Sequence, residues 1–574
     1  MEPVGRVFTL KTSPDRLKAE LVPSFGSVLD DWVGGVKRSD FSDSVYVLGA
    51  TYLTPPLKMF IERVRDRLSV LEVVGSPLER GFGFGKTHAL IFLWHLFTSD
   101  IYVHAGVSIS GDIVKETLVL GVDCSRDAPL AVIVEELKAY ADLRHPVARV
   151  KDTRLLEAVA EVLGEYEQEL GTLLSDSEKL AELIAKILKR YSKLGGTPRL
   201  LLLVDELGWG LARKLRVYAD KMREGKHQEA EKAYSEAIAV VNFLSYLYDK
   251  LQGKWVAGVV IWVVAEQDRR EVDTIARMNV DNKLVYDKIT GLLEYLNVIA
   301  ERYSRGTAGI SLAELSYSPE HALEIARYRI LKVADGFNLQ ELQDRYMAWL
   351  ESIAGQLNLS GALARHKDEL RRFYPFSLGL IHLLKKVMRS NDVPATEFVR
   401  TVIGIAGEAV KNALHRDPEG TYTVGVKHLS IPGVVLAELM RDDARDRWFV
   451  VAGDIEQALS KASPEERKAA EITAKYILAK GVTADVLTLL ELREPRDLER
   501  YGSTLEEIQL EILESFTESE AIQTIENLDK ALESLRVKSA RIEEREVDGK
   551  RYYLPSIIMR IHSILNDHIN KEKK

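Results

Sequence analysis

Between Leu68 and Phe97 an aliphatic run, a glycine-rich turn and an unbroken apolar run follow directly on one another. "LSVLEVVG" (Leu68 to Gly75) is apolar and rich in β-branched residues, the pattern of a strand covered on both faces. "KTHALIFLWHLF" has no breaker and carries apolar residues at helical spacing. A strand that turns through glycines straight into a helix belongs to a parallel α/β sheet, and few other folds accommodate it.

The turn itself ends in Gly85-Lys86-Thr87, with Arg80 where the first glycine of a G-x-x-x-x-G-K-[ST] loop is expected. Gly81, Gly83 and Gly85 open backbone conformations closed to other residues, so the N–H groups of 81–87, with Phe82 and Phe84 between the glycines, can converge on phosphate oxygens. Amides at the start of the following helix add partial positive charge. In that arrangement Lys86 reaches the β- and γ-phosphates of ATP and Thr87 offers its hydroxyl to Mg²⁺. His88 completes the stretch placed against the nucleotide, although the helical spacing of His88 and His95 suits packing.

A carboxylate partner is found in "RLLLLVDELGWG" (Arg199 to Gly210), where a five-residue aliphatic run ends in Asp205-Glu206. At the carboxyl end of a buried parallel strand, Asp205 is placed to hold the Mg²⁺ shell and Glu206 to polarise the attacking water. A third aliphatic run, in "GVVIWVVAEQDRREVD" (Gly258 to Asp273), leaves Glu266 and Gln267 at its polar exit. Arg302 and Arg305 precede a further short strand. A new helix then enters through Ser318-Pro319-Glu320, proline at the first turn being a start signal.

Length, charge and cysteine content set limits on the rest. A chain of 574 residues implies three or four domains at roughly 150 residues each, and 46% hydrophobic residues suffice for several cores. A net charge of -9 excludes a wholly basic nucleic-acid sheath. The one cysteine, Cys124, excludes a disulfide framework and a cysteine-based zinc cluster, and is expected in a core. The longest apolar run, Trp255 to Ala265, has strand length, and no signal-peptide core opens the chain. A cytoplasmic protein with no membrane partner is expected.

Taken in order, "YVLGATYLTPPLKMFIERVRDRL", "GFGFGKTHALIFLWHLF", "LLLLVDELGWGL", "IARYRILK", "YPFSLGLIHLL" and "EFVRTVIGIAGEAVKNAL" resemble a family of uncharacterised prokaryotic AAA+-like ATPases, whose genes often lie beside DNA methyltransferases. The likeness spans nearly the whole chain and extends more distantly to origin-recognition ATPases. It implies ATP-dependent work on DNA or in defence, an oligomeric active form, Gln267 or Glu266 at the γ-phosphate, with Gln267 the residue chosen, arginine fingers at Arg302 or Arg305, and a lid arginine, Arg400, that contacts the γ-phosphate. Family members often carry Ser, Thr or Gly where Phe84 stands, and His where Ser377 stands. The alternative is a switch that binds ATP and recruits or licenses an effector protein with little turnover.

The expected layout is an N-terminal segment, 1–67, covering the nucleotide. An α/β core follows over 68–316 with a helical insertion at 153–194, then a helical lid over 317–415 and a winged-helix-like domain over 416–574. Asp548-Gly549 between two strand-like runs signals a hairpin. Arg536, Lys538, Arg541, Arg545, Lys550 and Arg551, with Tyr552 and Tyr553, offer that hairpin to DNA phosphates, while Glu543, Glu544 and Glu546 dilute its charge.

Overall fold

The computed structural model describes residues 1–11, 24–78, 85–101, 103–104, 106–169, 171, 176–304, 318–389, 398–435, 442–482, 495–539 and 541–557. The chain divides into two compact units, one formed by Val22–Tyr317 and the other by Met1–Leu21 together with Ser318–Lys574. The first strand, β1 (Phe8–Leu10), therefore belongs with the later part of the chain and not with the segment that follows it.

In the unit 22–317, helix α1 (Pro55–Arg67) precedes strand β2 (Val73–Leu78). The "TYLTPPLK" segment starts that helix. Thr54 is its N-cap, accepting a hydrogen bond from the Leu57 N–H at 3.4 Å, and two prolines fill the first turn. Helix α2 (Lys86–Thr98) follows, buried along nearly its whole length, which is why it is apolar on every face. A two-residue hairpin, β3 (Val103–His104) and β4 (Val107–Ser108), leads to β5 (Thr117–Asp123) and, after the helices of 153–193, to β6 (Arg199–Asp205). Helices α3 (Leu207–Arg223) and α4 (His227–Leu251) connect β6 to β7 (Ala257–Val263), and α5 (Glu266–Arg277) and α6 (Lys283–Ser304) close the described part.

The sheet runs β2-β7-β6-β5 with every neighbouring pair parallel. All seven residues of β5 and of β7 are buried, as strands covered on both faces require. The leucines of β6 divide between two cores: Leu200 and Leu202 face one that includes both helices of 153–193, and Leu201 and Leu203 face the other, which includes α2. Each such side chain contributes about 1.5–3 kcal/mol by leaving water. The register pairs Asp123 with Asp205, so both acids stand at the same carboxyl edge.

The second unit is mostly helical. Strand β8 (Leu331–Val333) pairs antiparallel with β1. Helices α7 (Ser360–Phe373), α8 (Leu378–Arg389), α9 (Phe398–Arg416), α10 (Pro464–Gly481) and α11 (Leu505–Ser515) share one core. Strands β9 (Ile542–Val547) and β10 (Lys550–Pro555) form the expected hairpin, turning through Asp548 and Gly549 at φ 52° and 74°. Ser503, just before α11, bridges Tyr553 of β10 through two backbone hydrogen bonds of 2.8 and 2.9 Å.

Candidate active site

The site is assembled at the carboxyl ends of the parallel strands. Gly85 ends the glycine turn in the left-handed region at φ 67°, open to glycine without penalty, and Lys86 begins α2 at once. Gly81, Phe82, Gly83 and Phe84 lie outside the described residues. Lys86 is only 8% exposed. Burial pushes its ammonium below the usual lysine range, and the charges of Asp268, Glu206 and Asp205 pull it back. The next residue, Thr87, brings its hydroxyl near enough to Asp205 to favour the ionised carboxylate, which sets the start of α2 beside the end of β6.

Asp205 is 1% exposed and its Oδ1 has no hydrogen-bond partner. Burial, with the charge of Glu206 second, lifts its carboxyl to about 7. Glu206 sits in the left-handed region at φ 53°, a conformation that costs a non-glycine residue roughly 1–3 kcal/mol and that recurs at functional sites. It holds the N-cap position of α3 without capping it through its side chain. Its carboxyl is also lifted to about 7, by burial first and then by Asp268 and Asp123, with Lys86 opposing.

Asp268 completes the group. Its Oδ2 accepts the Ala265 N–H at 3.0 Å, which turns the carboxylate back over the start of α5, and burial lifts it to about 6 against the pull of Lys86. Gly208 makes room for it: a Cβ there would lie 2.6 Å from Asp268 Oδ2. Gly210 plays the same part against the Cys124 carbonyl, which a Cβ would approach to 2.4 Å. The two glycines of "DELGWG" thus let α3 press against neighbouring strand ends.

Several expected residues stand elsewhere. Gln267 is exposed, and Glu266 is exposed and ion-paired to Arg270; the side chain that faces Lys86 after β7 is Asp268. Residues leaving a strand into a helix turn through about 100° each, so the neighbour one place on faces the site. Arg302 donates to Ser245 Oγ at 3.0 Å, ion-pairs with Asp249 and lies 4.9 Å from the Tyr248 ring centre, which binds it to α4 of its own unit. Arg305 lies outside the described residues. His88 contacts Thr51 Oγ1 at 2.8 Å and packs edge-on to Phe41, a packing position. Arg400 is half-buried on α9 of the second unit. Cys124 is buried, and burial raises its thiol well above the usual range, as befits a core residue.

The basic hairpin is largely neutralised from within. Arg536 pairs with Glu544 at 2.5 Å, Arg545 with Glu543 at 2.9 Å and Arg541 with Asp454 at 2.6 Å, while Tyr552 and Tyr553 are buried. Lys550 and Arg551 remain exposed, with Glu544 3.8 Å from the latter. Among the described residues no helix is long and apolar enough to cross a membrane. Compared with protein-family models, with curated proteins and with solved structures, the chain matches none.

Proposed function

We propose that the unit 22–317 is a P-loop ATPase of the AAA+-like kind that binds ATP with Mg²⁺ and hydrolyses it. The observation that carries this reading is the burial of Lys86, at the lysine-threonine end of the glycine turn, among the carboxylates of Asp205, Glu206 and Asp268 at the ends of β6 and β7. Strand β7 lies between β2 and β6, so the two ends face each other across a strand that itself delivers Asp268. Open parallel sheets bind ligands at this edge.

The donor set fits Mg²⁺. Hard oxygen ligands are what the ion takes, and the unpartnered Asp205 Oδ1 beside the Thr87 hydroxyl is a buried acceptor awaiting a cation. When bound, Mg²⁺ neutralises charge on the β- and γ-phosphate oxygens. Lys86 supplies a desolvated point charge to the same phosphates. Glu206, titrating near neutrality, orients a water and draws its proton, the range in which a general base works best. Asp268 keeps Lys86 charged and aligned.

Hydrolysis is assigned to DNA-associated remodelling or defence by a homo-oligomer. The tie of Arg302 to α4 favours the second reading, a switch that holds ATP and licenses an effector protein, because this arginine is already engaged within its own unit. ATP turnover measured with and without double-stranded DNA, alongside molar mass, separates them. DNA-stimulated steady turnover by an oligomer supports the first. A single turnover by a monomer, indifferent to DNA, supports the switch. Absence of ATP binding overturns both.

A further inference from the structure

The second unit carries a nitrogen-and-oxygen ligand set far in sequence from the nucleotide residues. His366 and Glu369 lie one turn apart on α7, and His382 stands on α8. One ligand atom from each lies within 4.8 Å of the other two. The two imidazoles are 5.5 Å apart between ring centres and inclined at 70°, so they converge edge to face and do not stack.

Two features suit this cluster to a cation. His366 Nε2 is buried and makes no hydrogen bond, with Glu507 Oε1 3.4 Å away. His382 Nδ1 is 3.3 Å from the Tyr476 hydroxyl. In the tautomer whose Nδ1–H donates to that oxygen, Nε2 presents its lone pair, the outer-shell arrangement that fixes ligating histidines.

The charges around the cluster are balanced. Lys385 holds Glu369 at 2.6 Å and lies 3.4 Å from Glu320, so it has a second carboxylate to keep when Glu369 turns to a cation. Lys480 and the Thr504 N–H hold Glu507 at 2.7 and 3.0 Å, which leaves Glu507 as an outer neighbour. Two imidazoles and one carboxylate are borderline donors. They select zinc and its transition-metal neighbours over Mg²⁺ and Ca²⁺, which demand oxygen.

We infer that His366, Glu369 and His382 form a divalent transition-metal site of the zinc class, pinning α7 to α8 within the second unit, with a water as the fourth ligand. The proposal stands independently of the nucleotide reading.

The test uses the tag-free full chain, stripped with a chelator and titrated with Zn²⁺ by calorimetry and with Co²⁺ by visible absorption. One ion per chain is expected, with the intense visible bands of a four-coordinate cobalt site and no competition from excess Mg²⁺. His366→Ala and Glu369→Gln should each weaken binding by at least about tenfold while the far-ultraviolet spectrum stays unchanged. Glu369, whose side chain is 37% exposed against 16% for His366, gives the variant that guards against loss of folding. A folded parent that takes up neither ion at about 100 µM, or uptake unchanged in His366→Ala, overturns the site and leaves an ion-pair network in its place.

Discussion

Two buried groups of acids, one in each unit, differ in a way that separates structure from site. On α11 of the second unit, Glu511 accepts from the Ser377 hydroxyl at 2.8 Å, from the Gly379 N–H at 2.7 Å and from the Ser515 hydroxyl at 3.3 Å. Glu514 accepts from the Leu378 N–H at 3.0 Å and from the Tyr346 hydroxyl. Together they cap the N-terminus of α8, where negative charge is favoured. At the ends of β6 and β7, by contrast, Asp205, Glu206 and Asp268 crowd one another around a single lysine, and Asp205 Oδ1 is bonded to nothing. Burial lifts Glu511 and Asp205 alike to about 7, so titration alone does not tell the two groups apart. Unfilled valence does: a saturated network holds helices together, whereas an unsaturated one is shaped for something else.

The sharpest way to press this contrast is Glu206→Gln. The amide keeps the shape but accepts no proton, and turnover should fall by about 10²–10⁴ while ATP still binds in calorimetry. Hydrolysis at the parent rate would remove Glu206 as the base. Next in size, Lys86→Ala should weaken ATP binding by about 100-fold, or ~3 kcal/mol, with the melting midpoint little changed.

In the saturated network the effect should fall on folding. Glu511→Ala leaves the Ser377 hydroxyl and the Gly379 amide unpaired in the core and is expected to cost ~3 kcal/mol of stability, read as a lower midpoint, with ATP affinity of the remaining folded protein intact. Asp205→Asn is its mirror. Removing a crowded charge should leave the ligand-free protein within ~1 kcal/mol of the parent, or slightly more stable, while abolishing Mg²⁺-dependent ATP binding.

The smallest effect is one of pH, and its sign follows from the raised carboxyls. Asp205 and Glu206 titrate near 7 in the folded chain and near their ordinary values, 3.8 and 4.5, when unfolded. Folding therefore takes up protons. Their contribution to ligand-free stability is full below about pH 4 and is lost as pH rises through about 7. Mg²⁺ needs the ionised Asp205, so stabilisation by Mg²⁺ and ATP should run the other way. It should grow by roughly tenfold in apparent affinity between pH 6 and pH 8. A flat profile in the parent would show that Asp205 is ionised throughout.

Much of the sheet was legible because aliphatic runs such as "LLLLV" before Asp205 have one use in a folded chain, a strand buried on both faces. The Asp548-Gly549 hairpin was legible because its turn needs two positive φ angles, which these residue types supply. What escaped depends on phase and distance. The strand exit at "AEQD" presents three polar residues, and only the turn of α5 selects Asp268 over Gln267. Arg302 is an ordinary surface residue until α4 supplies Ser245 and Asp249. "LEEIQLEILES" has the pattern of a helix with acids in water, and the burial of Glu511 and Glu514 becomes visible only with α8 packed against it.

The pairing of β1 with β8 bears on how the chain is made. Thr9 and Lys332 are partners 323 positions apart, so on a ribosome adding roughly 5–20 residues per second the first strand waits about a quarter of a minute to a minute for its mate. During that wait Val4, Val7 and Phe8, all buried in the finished protein, have no core to enter. The intervening unit is contiguous and low in such debts: its four-stranded parallel sheet and both of its cores are complete before Ser318 is added. Synthesis thus delivers a finished first bead while the opening residues stay in the hands of chaperones, and a lesion in residues 4–10 should reveal itself as slow maturation of the later unit.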